Sequence, residues 1–156
     1  MTVPDGFVLK SPRSDASHDV LIEVVSLTGE PPVAGRDEAV CAAGFKRFAD
    51  GTVASQDELN AQPARRTMAD AVLATLRSQG LAPEVLQGIP GTAFAGVEVV
   101  SKPTAGPDHQ NVRIYMAIMD RVVGRTNIVC ATTRQALPDA IPVFRLIRDG
   151  TRAPAR

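Results

Sequence analysis

Tryptophan is absent, tyrosine occurs once and phenylalanine five times, so aromatic residues make up only 4% of the 156-residue chain. That leaves few side chains on which bases could stack, and argues against a single-stranded nucleic-acid platform. An excess of either charge is also missing: 17 Lys and Arg balance 17 Asp and Glu. A dedicated nucleic-acid or anionic-membrane binder would carry a basic surplus. No apolar run approaches the ~20 residues that span a bilayer. The opening Met1-Thr-Val-Pro-Asp-Gly6 lacks the basic and apolar segments of a secretory signal. The two cysteines, Cys41 and Cys130, lie far apart with no metal-ligand spacing around either. The expected compartment is therefore the cytoplasm, with both cysteines as buried thiols. If the sequence is instead a mature exported form, the periplasm and a disulfide replace that expectation.

What the chain does contain is enough apolar material for a core, with 44% hydrophobic residues. At this length about 68–70% of the unfolded surface is buried on folding, which predicts a single domain over 1–156 without staples. Arginine greatly outnumbers lysine, 14 to 3, which fits a high-GC bacterial genome. Charge is unevenly spread: residues 1–60 carry 10 acidic and 5 basic groups, residues 61–156 carry 7 and 12. Solvated, mutually complementary faces account for this simply, and a two-signed surface for a protein partner is the functional alternative.

Periodicity places the elements. A short strand is expected over 6–10 and a stronger one over 19–27, where DVLIEVVSL is nearly all apolar. Prolines and glycines break the chain over 28–35. Residues 36–49 are expected to be a helix, with Cys41, Phe45 and Phe48 at i, i+4 and i+7 and Gly44 weakening it. Residues 50–63 are expected to be a loop, with one turn opened by the capping pattern Ser55-x-x-Glu58 and closed to further helix by Pro63. A clear helix follows over 64–79, with Met68, Val72 and Leu76 on one face and Gly80 as its C′ glycine. A brief strand over 84–87 precedes three longer ones over 92–102, 111–120 and 126–133. In the middle one, Val112, Ile114, Met116 and Ile118 share one face and Arg113, Tyr115, Ala117 and Met119 the other. The short Gly124-containing connection makes the last two a hairpin. A closing helix over 137–149 turns Leu137, Ile141, Phe144 and Ile147 inward, with Pro138 in its first turn and Pro142 inside it. A short flexible tail is expected over 151–156. The fold class is α+β, a mostly antiparallel sheet flanked by helices.

The C-terminal 65 residues, running from GVEVV through NVRIYMAIMD–RVVGR–TNIVCATT to ALPDAIPVFRLIRDGTR, resemble the PsbP-like and DcrB-like α/β/α sandwich proteins. That group includes the yeast Ran-binding nucleotide-release factor. The opening Pro4-Asp-Gly6-Phe7 is similar as well, and the match covers about half the chain. The 50–80 segment has no counterpart in the pattern and reads as a helical insert. The resemblance implies a binding role: members dock onto larger complexes, act as secretion chaperones or sit at a cell envelope, and most lack an active site. It carries no catalytic residue over to this chain.

Candidate chemistry is sparse. Cys130 as a nucleophile would need His18 or His109 beside it, and both histidines fall in expected loops. His109 next to Asp108, and Asp15 next to His18, are pairings too small for a metal site. The glycines between Gly88 and Gly96 lack the Gly-Lys-Ser/Thr ending and following helix of a phosphate loop. Arg145, Arg148, Arg152 and Arg156 recur along the closing helix, where its dipole favours cations. Arg113, Tyr115, Arg121 and Arg125 surround the hairpin, and exposed Tyr and Arg are typical of binding hot spots. The sequence thus points to a non-enzymatic accessory, adaptor or chaperone-like subunit that binds another protein, with no cofactor, metal or nucleic acid. Its expected contact residues are Arg113, Tyr115, Arg121, Arg125, Arg145, Arg148 and His109; the sheet face left uncovered by helices is the other option. The alternative is a small-ligand binder or enzyme with a pocket between the 50–80 insert and the sheet, using His109, Asp108, Arg113 and Tyr115. Homodimerisation through an edge strand is compatible with either.

Overall fold

The computed structural model describes residues 1–34, 38–50, 55–107 and 109–153. Seven antiparallel strands form one sheet in the order β1-β2-β3-β7-β6-β5-β4. They are β1 (Phe7–Leu9), β2 (Val20–Ser26), β3 (Cys41–Arg47), β4 (Leu81–Gly88), β5 (Ala95–Pro103), β6 (Val112–Arg121) and β7 (Gly124–Thr133). Among the described residues three helices accompany them: α1 (Gln56–Asn60), α2 (Gln62–Ser78) and α3 (Leu137–Asp149). The α+β expectation holds, and so do the closing helix and the hairpin. Arg121 pairs directly with Gly124 across a two-residue turn. Gly124 has φ +155°, and a Cβ there would run into the Lys46 carbonyl oxygen, so only glycine lets β3 and β7 meet at this corner.

The helix expected over 36–49 is a correction. Residues 41–47 form β3, an interior strand hydrogen-bonded to β2 on one side and β7 on the other. Cys41 and Phe45 lie on one face at both helical and strand periods; Ala43, buried between them, completes a period of two. Strand form also corrects the expectation of two buried thiols. Cys41 sits directly opposite Cys130 in the β3–β7 register, and the two are joined as a disulfide. Pro63 does not end a helix but occupies the first turn of α2, where its missing N–H costs nothing. Ser55 does cap α1, its hydroxyl accepting the Glu58 N–H at 3.2 Å.

The two sheet faces are packed by different helices. On one, α3 lays Ala140, Phe144 and Ile147 over Tyr115, Ala117, Ile128, Ala43 and Val24. On the other, α2 lays Met68, Val72 and Leu76 over Ala95, Val97 and Val99. β5 lies between both helices and is buried on both faces from Ala95 to Val99. The two edges are poor templates for a further strand: β1 has three residues, and β4 carries Pro83 and a register shift between Pro83 and Val85.

The β3–β7 cross-link closes a long loop, and loss of such a bond costs about 2–4 kcal/mol. Thiol titration of the unfolded, unreduced protein should find no free cysteine. The Cys41→Ala/Cys130→Ala double variant should unfold at lower denaturant by that margin.

Candidate functional site

Glu98 is the one charged residue of the strand segment TAFAGVEVV, and it points to α3 from a position only 5% exposed. Tyr115 Oη donates to its Oε2 at 2.8 Å, and Arg148 Nη1 to the same oxygen at 2.6 Å. Arg145 donates to Oε1 through Nη2 at 2.5 Å and Nε at 3.1 Å, and Gln87 Nε2 donates there as well. Burial alone would raise the Glu98 carboxyl, but hydrogen bonds from Arg145, Gln87 and Tyr115 outweigh it and hold the group below the ordinary glutamate range. Burial, then the bond to Glu98, pushes the Tyr115 phenol well above its usual value. Acid and phenol are therefore both fixed in single protonation states near neutrality, so neither is tuned to exchange a proton there. The cluster is a tie between α3 and the sheet.

This arrangement revises most of the expected contact residues. Tyr115 is 1% exposed and Arg113 5%, because the odd-numbered face of β6 lies under α3. Arg113 Nε pairs with Glu84 at 2.7 Å, while its Nη1 donates to the Gln110 and Val112 carbonyls. Arg148 turns inward, so no cationic ridge forms along α3; Arg156 and Asp108 lie outside the described residues. Arg121 lies 4.9 Å over the Phe94 ring, and Arg125 makes a two-pronged pair with Asp120. His109 has both ring nitrogens engaged, Nδ1 with the Gly106 carbonyl at 2.7 Å and Nε2 with Gln110 at 2.8 Å. The ligand-pocket set is likewise not assembled: the cavity beside α2 is lined by neither His109 nor Arg113 nor Tyr115. Glu98 was missed in the sequence; its signal was a lone carboxylate in an otherwise apolar strand.

The open surface lies elsewhere. α2 packs mainly on the β4–β5–β6 side of its face, and among the described residues no helix covers the β2–β3–β7 half. There β7, the middle strand of seven, exposes Val129 at 39%, beside half-buried Ala131 and Ala42. A groove of about 620 Å³ runs over these residues and is rimmed by Lys10, Arg13, Glu23 and Glu38. Arg13 and Lys10 both pair with Glu23, at 2.5 and 3.4 Å. His18 lines the cavity beside α2. Its ring lies over Gly44, where any Cβ would overlap it. Asp15 fixes the ring, its Oδ1 contacting His18 Nδ1 at 3.1 Å and accepting the Ser17 and His18 N–H groups at 2.7 Å. The backbone bond from Ser17 contributes most to lowering the Asp15 carboxyl. Asp15 and His18, set aside in the sequence as too small a pairing for a metal site, are in contact, and the pair fixes the ring over Gly44.

No protein-family model matches the sequence, and no curated protein matches it. Solved structures do. Cyanobacterial PsbP (CyanoP) from Synechocystis sp. PCC 6803 superposes with a TM-score of 0.57 at 10% identity, covering 97% of this chain and 84% of that one. The fold is PsbP-like. A second similar solved structure is PA94 from Pseudomonas aeruginosa, a protein of unknown function described as a putative regulator, with TM-score 0.53, 9% identity, and coverage of 99% of this chain and 90% of that one. The likeness extends over nearly the whole chain, where the sequence pattern covered about half. Among the described residues no helix is long and apolar enough to cross a membrane.

Because the Glu98 carboxyl is lowered on folding, the unfolded chain binds the extra proton first as pH falls. Its stabilisation is complete above the ordinary glutamate range, roughly pH 4–5, and fades as pH drops through the lower folded value. Glu98→Gln should flatten the acid limb of a stability–pH curve. Glu98→Ala should cost about 2–4 kcal/mol at pH 7, below a fully buried pair because Arg145 is 42% exposed.

Proposed function

We propose that this chain is a non-enzymatic accessory subunit that binds another protein through the uncovered β2–β3–β7 half of its sheet. The observation that carries the reading is Val129, a large apolar side chain left at 39% exposure on the central strand. Single exposed apolar residues are ordinary at a sheet edge, but a bare central strand beside a long groove is what a contact face looks like before its partner covers it. The paired charges around Glu23 and Glu38 supply a polar rim. The binding role implied by the PsbP-like resemblance points the same way. The Cys41–Cys130 disulfide favours an oxidising compartment such as the periplasm over the cytoplasm.

The test is gentle affinity purification from the native host followed by native mass spectrometry. Wild type should carry a stoichiometric partner. Val129→Arg should lose it without a change in thermal unfolding, while Val85→Arg, on edge strand β4 and 53% exposed, should keep it. Retention by Val129→Arg with loss in Val85→Arg would move the contact face to β4 and α3.

A further inference from the structure

The sheet joins two meanders, each continuous in sequence. Residues 7–47 supply β1–β2–β3 and residues 81–133 supply β4–β5–β6–β7, so the β3–β7 ladder is a seam between them. The second meander has a core that needs nothing from the first: Met68, Val72 and Leu76 of α2 pack on Ala95, Val97 and Val99. The Glu98 cluster stays on that side too, tying α3 to β4, β5 and β6. The first meander has no such core, because its Val24, Cys41 and Ala43 are buried in the cluster under α3. Among the described residues the ion pairs keep to the same division. Lys10 and Arg13 pair with Glu23, and Lys46 with Asp19, while Arg113, Arg125, Arg145 and Arg148 find their carboxylates within residues 84–149. What crosses the seam is the ladder, apolar packing, hydrogen bonds such as that from the Thr132 hydroxyl to the Pro32 carbonyl, and the Cys41–Cys130 disulfide.

We infer that β1–β2–β3 is a unit able to leave the sheet on its own, and that the Cys41–Cys130 bond is the redox-sensitive staple that prevents it. The bond joins the first pair of a ladder that runs on to Arg47 opposite Gly124. While it is intact, a parted β3 stays tethered beside β7 at high effective concentration and recloses. Once it is cut, the first meander gains the full conformational freedom of a detached segment, and the second keeps the α2 core and the Glu98 tie. The open groove depends on the same seam, since its floor takes Ala42 from β3 and Val129 and Ala131 from β7.

Both cysteines are at most 2% exposed, so the bond is reduced in denaturant and the chain refolded in dithiothreitol. There one thiolate of the reagent attacks a cysteine Sγ and its second thiol releases it, leaving two cysteine thiols and the cyclic disulfide of the reagent. Native-state amide hydrogen exchange then reads the strands separately. In the disulfide form, amides of β2 and β3 should exchange through the same opening as those of β5 and β6. In the reduced chain, β2 and β3 amides should exchange at least about tenfold faster than those of β5 and β6, which stay protected. Cys41→Ala/Cys130→Ala without reductant should match the reduced chain. Trypsin should first cut the reduced chain after Lys46 or Arg47, leaving a folded product from Phe48 onward. Equal protection of all four strands after reduction, or its loss from all four together, overturns the detachable unit, as does first cleavage at Arg113 or Arg121 on β6. Faster exchange of β2 and β3 already in the disulfide form overturns the staple.

Discussion

The position of α3 depends on one buried carboxylate. Glu98 stands on a strand buried on both faces and collects donors from β4, β6 and two turns of α3. An ion taken this far out of water is tolerated only when its lone pairs are nearly all matched. That requirement sets the register of α3 on the sheet more sharply than the apolar contacts of Phe144 and Ile147 alone, which could slide by a turn at modest cost. Arg113 and Glu84 form a further ion pair, between β6 and β4. Of the residues that looked most like a contact surface, Tyr115, Arg145 and Arg148 hold the helix down, while Arg113 and Arg125 pair with Glu84 and Asp120 on the sheet.

With α3 fixed over one face and α2 over half of the other, no helix among the described residues covers the remaining sheet surface. The His18 ring, held by Asp15, is a wall of the small cavity between α2 and β6–β7, while the broad groove runs over Ala42 and Ala131. Gly44 makes the wall, because a side chain there would lift the imidazole off the sheet. Ion pairs such as Lys46 with Asp19 and Arg148 with Glu98 each join residues of the same part of the chain, so they leave the charge difference between the first 60 positions and the rest in place.

Much of the fold was legible. The hairpin, the closing helix and the α2 stripe follow from strong single periods over ten or more residues, and local chemistry agrees with tertiary demand there. Residues 36–49 were not legible, because i, i+4 spacing is common to helix and strand and only the flanking strands β2 and β7 decide between them. The Asp15–His18 pairing was visible as adjacency, but its place beside Asn127, more than a hundred residues later, was not.

The sequence alone determined the class: an antiparallel α+β sandwich of PsbP-like pattern, with no charge excess and too few aromatic side chains for base stacking. Those properties are sums and periods, which are local. Tertiary structure alone decided which charged residues were free to act. Exposure, pairing and disulfide formation depend on which strand lies opposite which. Cys41 meets Cys130, and Tyr115 meets Glu98, only once the sheet order puts β3 beside β7 and β5 beside β6.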